Sequence, residues 1–248
     1  MRTIRHALLV VIALGLAVAA ARPATAGTIA TFSTNLGNFE VELSSDPLLE
    51  TTVENFLAYV DAGAYADSII HRSTTYNYVV EDSQIIPTSF WVLQGGSYVL
   101  DGSTINPIAT GSPIPLQTTL TASNVAGTLA MARTNDPNSA TSGWFINVID
   151  NSAFFDGQYA VFGTVVNGWN VIEQMAALAV YDYSGPLGPA FGELPLIDFE
   201  DSQYFVLVNN VTAVPEPSTW ALAGIGIVGA ALAGRRRISS RRASARAR

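Results

Sequence analysis

The sequence predicts a mainly β fold, a closed barrel of antiparallel strands with α-helices covering its ends. Three observations lead there. Apolar, β-branched and aromatic residues come in many short runs bounded by Gly, Asn and Ser, while only two stretches keep helical spacing. There is no cysteine, so neither disulfides nor zinc-thiolate sites can staple the chain. The roughly 190 residues between two atypical ends are enough to bury a full core without them.

The elements follow in order. Thr28 to Leu43 alternates apolar and polar residues around Asn35-Leu36-Gly37, which predicts a β-hairpin. Asp46-Pro47 supplies an N-cap and a first-turn proline. Val53, Phe56, Leu57 and Val60 then recur at helical spacing until Gly63. A second helix is predicted from about Trp169 to Leu178, with Val171, Ile172 and Met175 on one face. Short strands are expected at Ile69 to Arg72, Trp91 to Gly95, Thr128 to Ala132, Trp144 to Ile149, Tyr159 to Val166 and Tyr204 to Asn209. Ser73 to Ser89, Asp101 to Thr118 and Tyr181 to Ser202 are rich in Pro, Gly, Ser, Thr and Asn and read as loops. Phe32, Phe39, Phe56, Phe162 and Leu129 are the expected core.

The ends read as addresses. Arg2 and Arg5 precede an apolar run from Ala7 to Ala21 and the small-residue site Ala24-Thr25-Ala26, the pattern of a secretory signal cut after Ala26. Val214-Pro215-Glu216-Pro217-Ser218 leads into an apolar stretch from Trp220 to Gly234, closed by Arg235, Arg236 and Arg237. The stretch is shorter than the roughly 20 residues of a full bilayer crossing. Its order resembles the PEP-CTERM sorting signal of Gram-negative bacteria, which implies processing by an exosortase; a plain tail anchor is the alternative. The division expected is a signal peptide at 1–26, a domain at 27–213 and a sorting tail at 214–248.

Between Gly27 and Val214 only Arg72 and Arg133 are basic against nineteen acids, a formal charge of −17, and the chain has no lysine. Such a surface repels phosphate backbones and anionic lipid, which argues against nucleic-acid binding. Asp136, Asp150 and Asp156 fall in turns where Asp caps backbone groups, so no metal is expected.

The candidate chemistry is concentrated in a few segments: His71-Arg72, Gln94-Gly95-Gly96, Gly127 to Arg133, Asn138 to Asn147, and Phe154-Phe155-Asp156-Gly157 followed by Tyr159 to Gly163. With Val53-Glu54-Asn55-Phe56 and Gly168 to Ile172, their order and spacing resemble the cyclophilin family over Thr28 to about Asn209. The resemblance implies an eight-stranded closed barrel with two capping helices and peptidyl-prolyl cis-trans isomerase activity without a cofactor. It implies that Arg72 hydrogen-bonds the prolyl nitrogen and that Gln94 orients the substrate carbonyl and the arginine. Val92, Phe145 and Phe155 would line the proline pocket. Ala132 and Arg133 would hold the substrate backbone. Trp91 stands where the family has phenylalanine, and Tyr159 where many eukaryotic members have histidine.

Gly143 replaces the glutamine that contacts residues ahead of proline, which implies weaker substrate binding. Phe154 replaces the tryptophan of cyclosporin-sensitive members. The connection of 21 residues between Arg72 and Gln94 is longer than in the family. The expected function is isomerisation that assists folding of exported or envelope proteins. The expected location is the periplasm, outer envelope or extracellular matrix, with transient anchoring by the tail. Expected partners are proline-containing peptides and proteins, signal peptidase and an exosortase-type enzyme, with membrane contact through the tail only. The departures leave one alternative, a catalytically weak binding module for proline-containing partners; the sorting tail and the acidic, lysine-free surface suggest another, a matrix protein associated with polysaccharide.

Overall fold

A computed structural model describes residues 27–74, 79–81, 84–86, 90–197 and 204–215. The expected signal peptide, apolar tail and basic cluster lie outside these residues. Residues 27–215 form one compact unit.

Fifteen described strands appear in chain order. They are β1 (Thr28–Thr34), β2 (Gly37–Leu43), β3 (Ser68–Ile69), β4 (Arg72–Ser73), β5 (Val79–Glu81), β6 (Gln84–Ile86), β7 (Val92–Gly95) and β8 (Tyr98–Asp101), followed by β9 (Thr104–Pro107), β10 (Thr128–Met131), β11 (Trp144–Asn147), β12 (Val161–Asn167), β13 (Ala179–Tyr181), β14 (Leu194–Leu196) and β15 (Leu207–Pro215). The described helices are α1 (Glu50–Asp61), α2 (Ser152–Phe155), α3 (Trp169–Ala176) and α4 (Ser184–Leu187).

The main sheet has eleven strands in the order β4-β7-β11-β10-β12-β2-β1-β15-β3-β8-β9, and the remaining strands form the hairpins β5-β6 and β13-β14. The fold is mainly β with a few helices, as expected. The ladder itself runs from β4 to β9 and does not close into a ring. The single strand expected at Ile69 to Arg72 is broken into β3, which pairs with β15, and β4, which pairs with β7.

The hairpin β1-β2 forms as predicted, with Thr34 opposite Gly37 and the turn at Asn35-Leu36. Its alternation puts Ala30, Phe32, Phe39, Val41 and Leu43 on the buried face. Phe32 stacks on Phe39 at 4.5 Å and meets Trp144 edge-on at 5.1 Å. All five expected core residues are buried; removing a side chain of this size from water stabilises the fold by about 1.5–3 kcal/mol.

Asp46 caps as predicted, its Oδ1 accepting from Leu48 N at 2.9 Å. Pro47–Leu49 form a 3-10 turn that runs into α1. Phe56, Tyr59 and Val60 of α1 and Val171, Ile172, Met175 and Ala176 of α3 face the core. α3 thus buries the apolar stripe that the sequence spacing defines, whereas in α1 Val53 and Leu57 of the expected stripe are only partly buried against the core and Tyr59 is buried beside Phe56 and Val60.

Four expectations need correction. More than two helices are present, because the four-residue helices α2 and α4 are too short to carry a legible period. The first and second segments read as loops carry β5, β6 and β9, and the third carries α4 and β14. The last strand runs to Pro215 rather than stopping at Asn209, since Val211 to Pro215 pair with Thr28 to Phe32 of β1. The segment expected at Trp144 to Ile149 ends as a strand at Asn147.

Candidate active site

Arg72, Gln94, Phe145, Ala130 and Val161 stand opposite one another in a single row across β4, β7, β11, β10 and β12. Directly opposed residues share a face of a sheet, so pairing alone brings the two expected catalytic residues and the pocket phenylalanine together. The row lies on the opposite face from Leu93, Ile146 and Leu129, which enter the main core. A separate apolar cluster results, with Val92, Ala130, Phe145, Phe155 and Val161 at its centre.

The pocket on this face is lined by Arg72, Phe90, Val92, Gln94, Ala132, Arg133, Phe145, Phe155 and Tyr159. The pocket is small, with a volume of about 90 Å³. Three aromatic rings build the wall: Phe145 meets Phe155 at 5.6 Å and Tyr159 at 5.3 Å, and Phe155 meets Tyr159 at 4.8 Å, all edge-on. Phe90 closes one side with its ring 4.8 Å from Phe155.

Eight of the eleven expected site residues therefore meet in one pocket. Trp91, Gly143 and Phe154 do not line it. Trp91 packs against the main core, and Phe90 takes the pocket side instead. The signal was present in the sequence as alternation, because Phe90, Val92 and Gln94 are two apart and point to one face. Phe154 is exposed on α2 beside the pocket residue Phe155. Gly143 lies behind Ala132, whose N–H donates to the Gly143 carbonyl at 2.9 Å. A Cβ on Gly143 would stand 2.8 Å from Ser97 Oγ, so any side chain there must displace that hydroxyl.

Arg133 supports the pocket wall. Its guanidinium carbon lies 4.6 Å from the centre of the Tyr159 ring, its Nε donates to Gln158 O at 2.9 Å, and its Nη1 donates to Thr134 O at 2.8 Å. Arg72 has a different environment: its Nε donates to Glu193 Oε2 at 2.7 Å, with both side chains partly exposed. Beneath it His71 is buried between Tyr98 and Phe191. Burial, and then the neighbouring Arg72 charge, lower the His71 pKa to about 4, so the ring is neutral near pH 7.

Gly95 and Gly96 after Gln94 have a packing reason. The Trp144 indole lies against both, and a Cβ at Gly96 would come within 2.5 Å of the indole and 2.8 Å of Ser142 O, at a φ of 74° that disfavours side chains. The two glycines thus let Trp144 be fully buried in the core while its neighbour Phe145 faces the pocket.

A family model described as cyclophilin type peptidyl-prolyl cis-trans isomerase/CLD matches residues 29–189, and a PEP-CTERM protein-sorting motif matches residues 213–237. A peptidyl-prolyl cis-trans isomerase of Acinetobacter baylyi is 36% identical over 164 residues, covering 64% of this chain and 78% of the relative. Peptidyl-prolyl cis-trans isomerase B of Escherichia coli is 35% identical over 156 residues, 60% of this chain and 84% of the relative. A crystal structure of a Cryptosporidium parvum cyclophilin type peptidyl-prolyl cis-trans isomerase in the presence of the dipeptide Ala-Pro superposes with a TM-score of 0.54. It is 20% identical and covers 75% of this chain and 98% of that one. The sequence relatives carry the activity and the structural neighbour carries the fold: the chain belongs to the cyclophilin-type peptidyl-prolyl cis-trans isomerase family, and its activity is that of the family.

Proposed function

We propose that the pocket on the face of β4, β7 and β11 isomerises prolyl bonds of exported proteins, with Arg72 as the catalytic residue. The observation that carries this is the cross-strand row, which sets a guanidinium in the lining of a small pocket whose apolar wall is Phe90, Val92, Phe145 and Phe155. A proline ring enters between Val92, Phe145, Phe155 and Phe90. A terminal N–H of Arg72 donates to the prolyl nitrogen. That bond draws the lone pair out of amide resonance and lowers the roughly 18–20 kcal/mol barrier to rotation about the C–N bond. No bond is made or broken. Because an arginine stays protonated, the donor is always present.

Gln94, opposite both Arg72 and Phe145, orients the substrate carbonyl. Ala132 and Arg133 hold the peptide backbone along the rim. Substrates are proline-containing peptides and proteins. The Ser97 hydroxyl beside Gly143 supports weaker contacts to residues ahead of proline than a glutamine there would make.

The domain is the body of a protein carried through the inner membrane by the leader at 1–26 and sorted by the tail from 214 onward, on which an exosortase acts. The PEP-CTERM match supports export of this kind. The eight-stranded barrel is closed by Ser68–Ser73 acting as one strand. Support comes from the bonds on either side of the break, from Ile70 N to Val206 O at 3.0 Å and from His71 N to Gln94 O at 3.1 Å.

The test is two-dimensional exchange NMR on an Ala-Pro peptide with the full chain and its Arg72→Ala variant. Loss of one preorganised donor to a transition state costs about a hundredfold or more in turnover, so exchange should fall to near the uncatalysed rate. Undiminished exchange in Arg72→Ala would remove Arg72 from the mechanism.

A further inference from the structure

We propose that Glu193, on the segment that joins α4 to β14, is a positioning residue that holds the Arg72 guanidinium in its working orientation. The proposal rests on Arg72 as the catalytic residue and adds a partner to it. Glu193 lies beyond residue 189, where the match to the family model ends.

Glu193 grips the catalytic strand twice. Its carboxylate accepts from Arg72 Nε at 2.7 Å, and its backbone carbonyl accepts from Ser73 N at 2.8 Å. Two residues earlier, the buried Phe191 ring packs 6.1 Å from His71 and 4.8 Å from Tyr98. Ile69, Phe191, Leu194 and Leu196 share one buried cluster. Residues 191 and 193 therefore fasten 71, 72 and 73 in turn. The strand needs fastening, because β4 is only two residues long and sits at an end of the ladder, paired with β7 alone.

Arginine is long and loses much rotamer freedom when fixed. A charge-assisted bond at Nε sets the plane of the guanidinium and leaves its terminal N–H groups as the donors for substrate. Those nitrogens can then meet the prolyl nitrogen without first ordering the side chain. The same carboxylate partly neutralises Arg72, which would weaken its pull on the nitrogen. Both side chains are about a third exposed, so water screens that charge term. A neutral amide nitrogen is a weak acceptor that depends on direction, so orientation outweighs charge.

The experiment uses the full chain as wild type, Glu193→Ala, Glu193→Gln and Arg72→Ala. It reads kcat and KM for an Ala-Pro peptide, the melting temperature, and the Arg72 Nε–Hε NMR resonance, assigned by its absence in Arg72→Ala. Glu193→Ala should lower kcat about tenfold, with KM changed less than about twofold. Its Hε resonance should move toward the position of a solvated arginine and exchange faster. Glu193→Gln keeps an oxygen that accepts from Nε and should recover most of the rate and the resonance.

Wild-type or higher activity in Glu193→Ala, with Arg72→Ala inactive, overturns the positioning role and leaves the Arg72 mechanism standing. Full activity in Arg72→Ala overturns both. Equal losses in Glu193→Ala and Glu193→Gln overturn it, because an oxygen that accepts from Nε would then fail to restore the rate. If Glu193→Ala does not fold, the rate and resonance of Glu193→Gln decide alone: retention of both supports the role, and loss of either overturns it.

Discussion

His71 and Arg72 are neighbours in sequence but their side chains lie in different surroundings, and this divides their chemistry. Arg72 faces the pocket in partial contact with water, while His71 is buried against Tyr98 and Phe191. Its Nδ1 has no hydrogen-bond partner among the described residues. A proton there would bury a second positive charge beside Arg72. Burial, followed by the Arg72 charge, lowers its pKa from 6.5 to about 4. The unfolded chain therefore binds this proton more readily than the folded one. The resulting stability is full above pH 6.5, falls as pH drops from 6.5 toward 4, and changes no further below. A shift of this size corresponds to roughly 3 kcal/mol. Urea unfolding between pH 7.5 and 4 should show this loss, and His71→Gln should flatten the slope in that window. An unchanged slope in the variant would place the acid sensitivity elsewhere.

At the scale of elements, the pocket depends on a buried amide network behind it. Asn151 Nδ2 donates to Asn147 Oδ1 at 2.7 Å and to Trp91 O at 3.1 Å, and its Oδ1 accepts from Trp91 N at 3.1 Å. Asn147 Nδ2 in turn donates to Thr128 Oγ1 at 2.9 Å. Asp156 continues the network by accepting from Asn124 N and Ser123 Oγ. Burial raises its pKa, but these hydrogen bonds outweigh it and leave the carboxyl below the usual range. The chain entering β7, the end of β11 and the start of α2 are thereby locked together, and with them Val92, Phe145 and Phe155. Asn151→Ala would strand the Trp91 amide and the Asn147 carbonyl oxygen in a dry interior, at about 1–3 kcal/mol for each group left unsatisfied. Denaturant unfolding should register a loss of that order. The peptide KM should rise as well, because the pocket wall loosens; an unchanged KM would detach the network from the site.

The molecule as a whole carries nineteen acids against two arginines between Gly27 and Val214. Arg133 is spent on Gln158 O and the Tyr159 face, and Arg72 on Glu193. Most of the negative charge therefore repels itself across the surface. Raising NaCl from low to molar concentration shortens the screening length several-fold, so the melting temperature should climb by several degrees. A flat or falling dependence would show that the acids are not repelling one another.

Much of this protein could be read from residue order alone. The β1-β2 hairpin, the Asp46-capped turn that leads into α1, the apolar stripe of α3 and the aromatic core rest on local periodicity and turn chemistry, which a sequence displays directly. Eight of the expected site residues are in the pocket: Arg72, Val92, Gln94 and Phe145 are set by the register of β4, β7 and β11, and Ala132, Arg133, Phe155 and Tyr159 come from the segments just after β10, on α2 and before β12. Tertiary structure alone decided the rest. The alternation of Phe90, Val92 and Gln94 was legible, but that their face carries the pocket while Trp91 packs against the main core was set by the fold. The three segments read as loops hold short strands and helices whose stability comes from partners and not from propensity. Glu193 lies 121 positions from Arg72 and has no motif of its own. Its place beside the guanidinium exists only once Phe191 is buried and the chain folds back onto β4, because long-range contacts are made by packing and leave no period in the sequence.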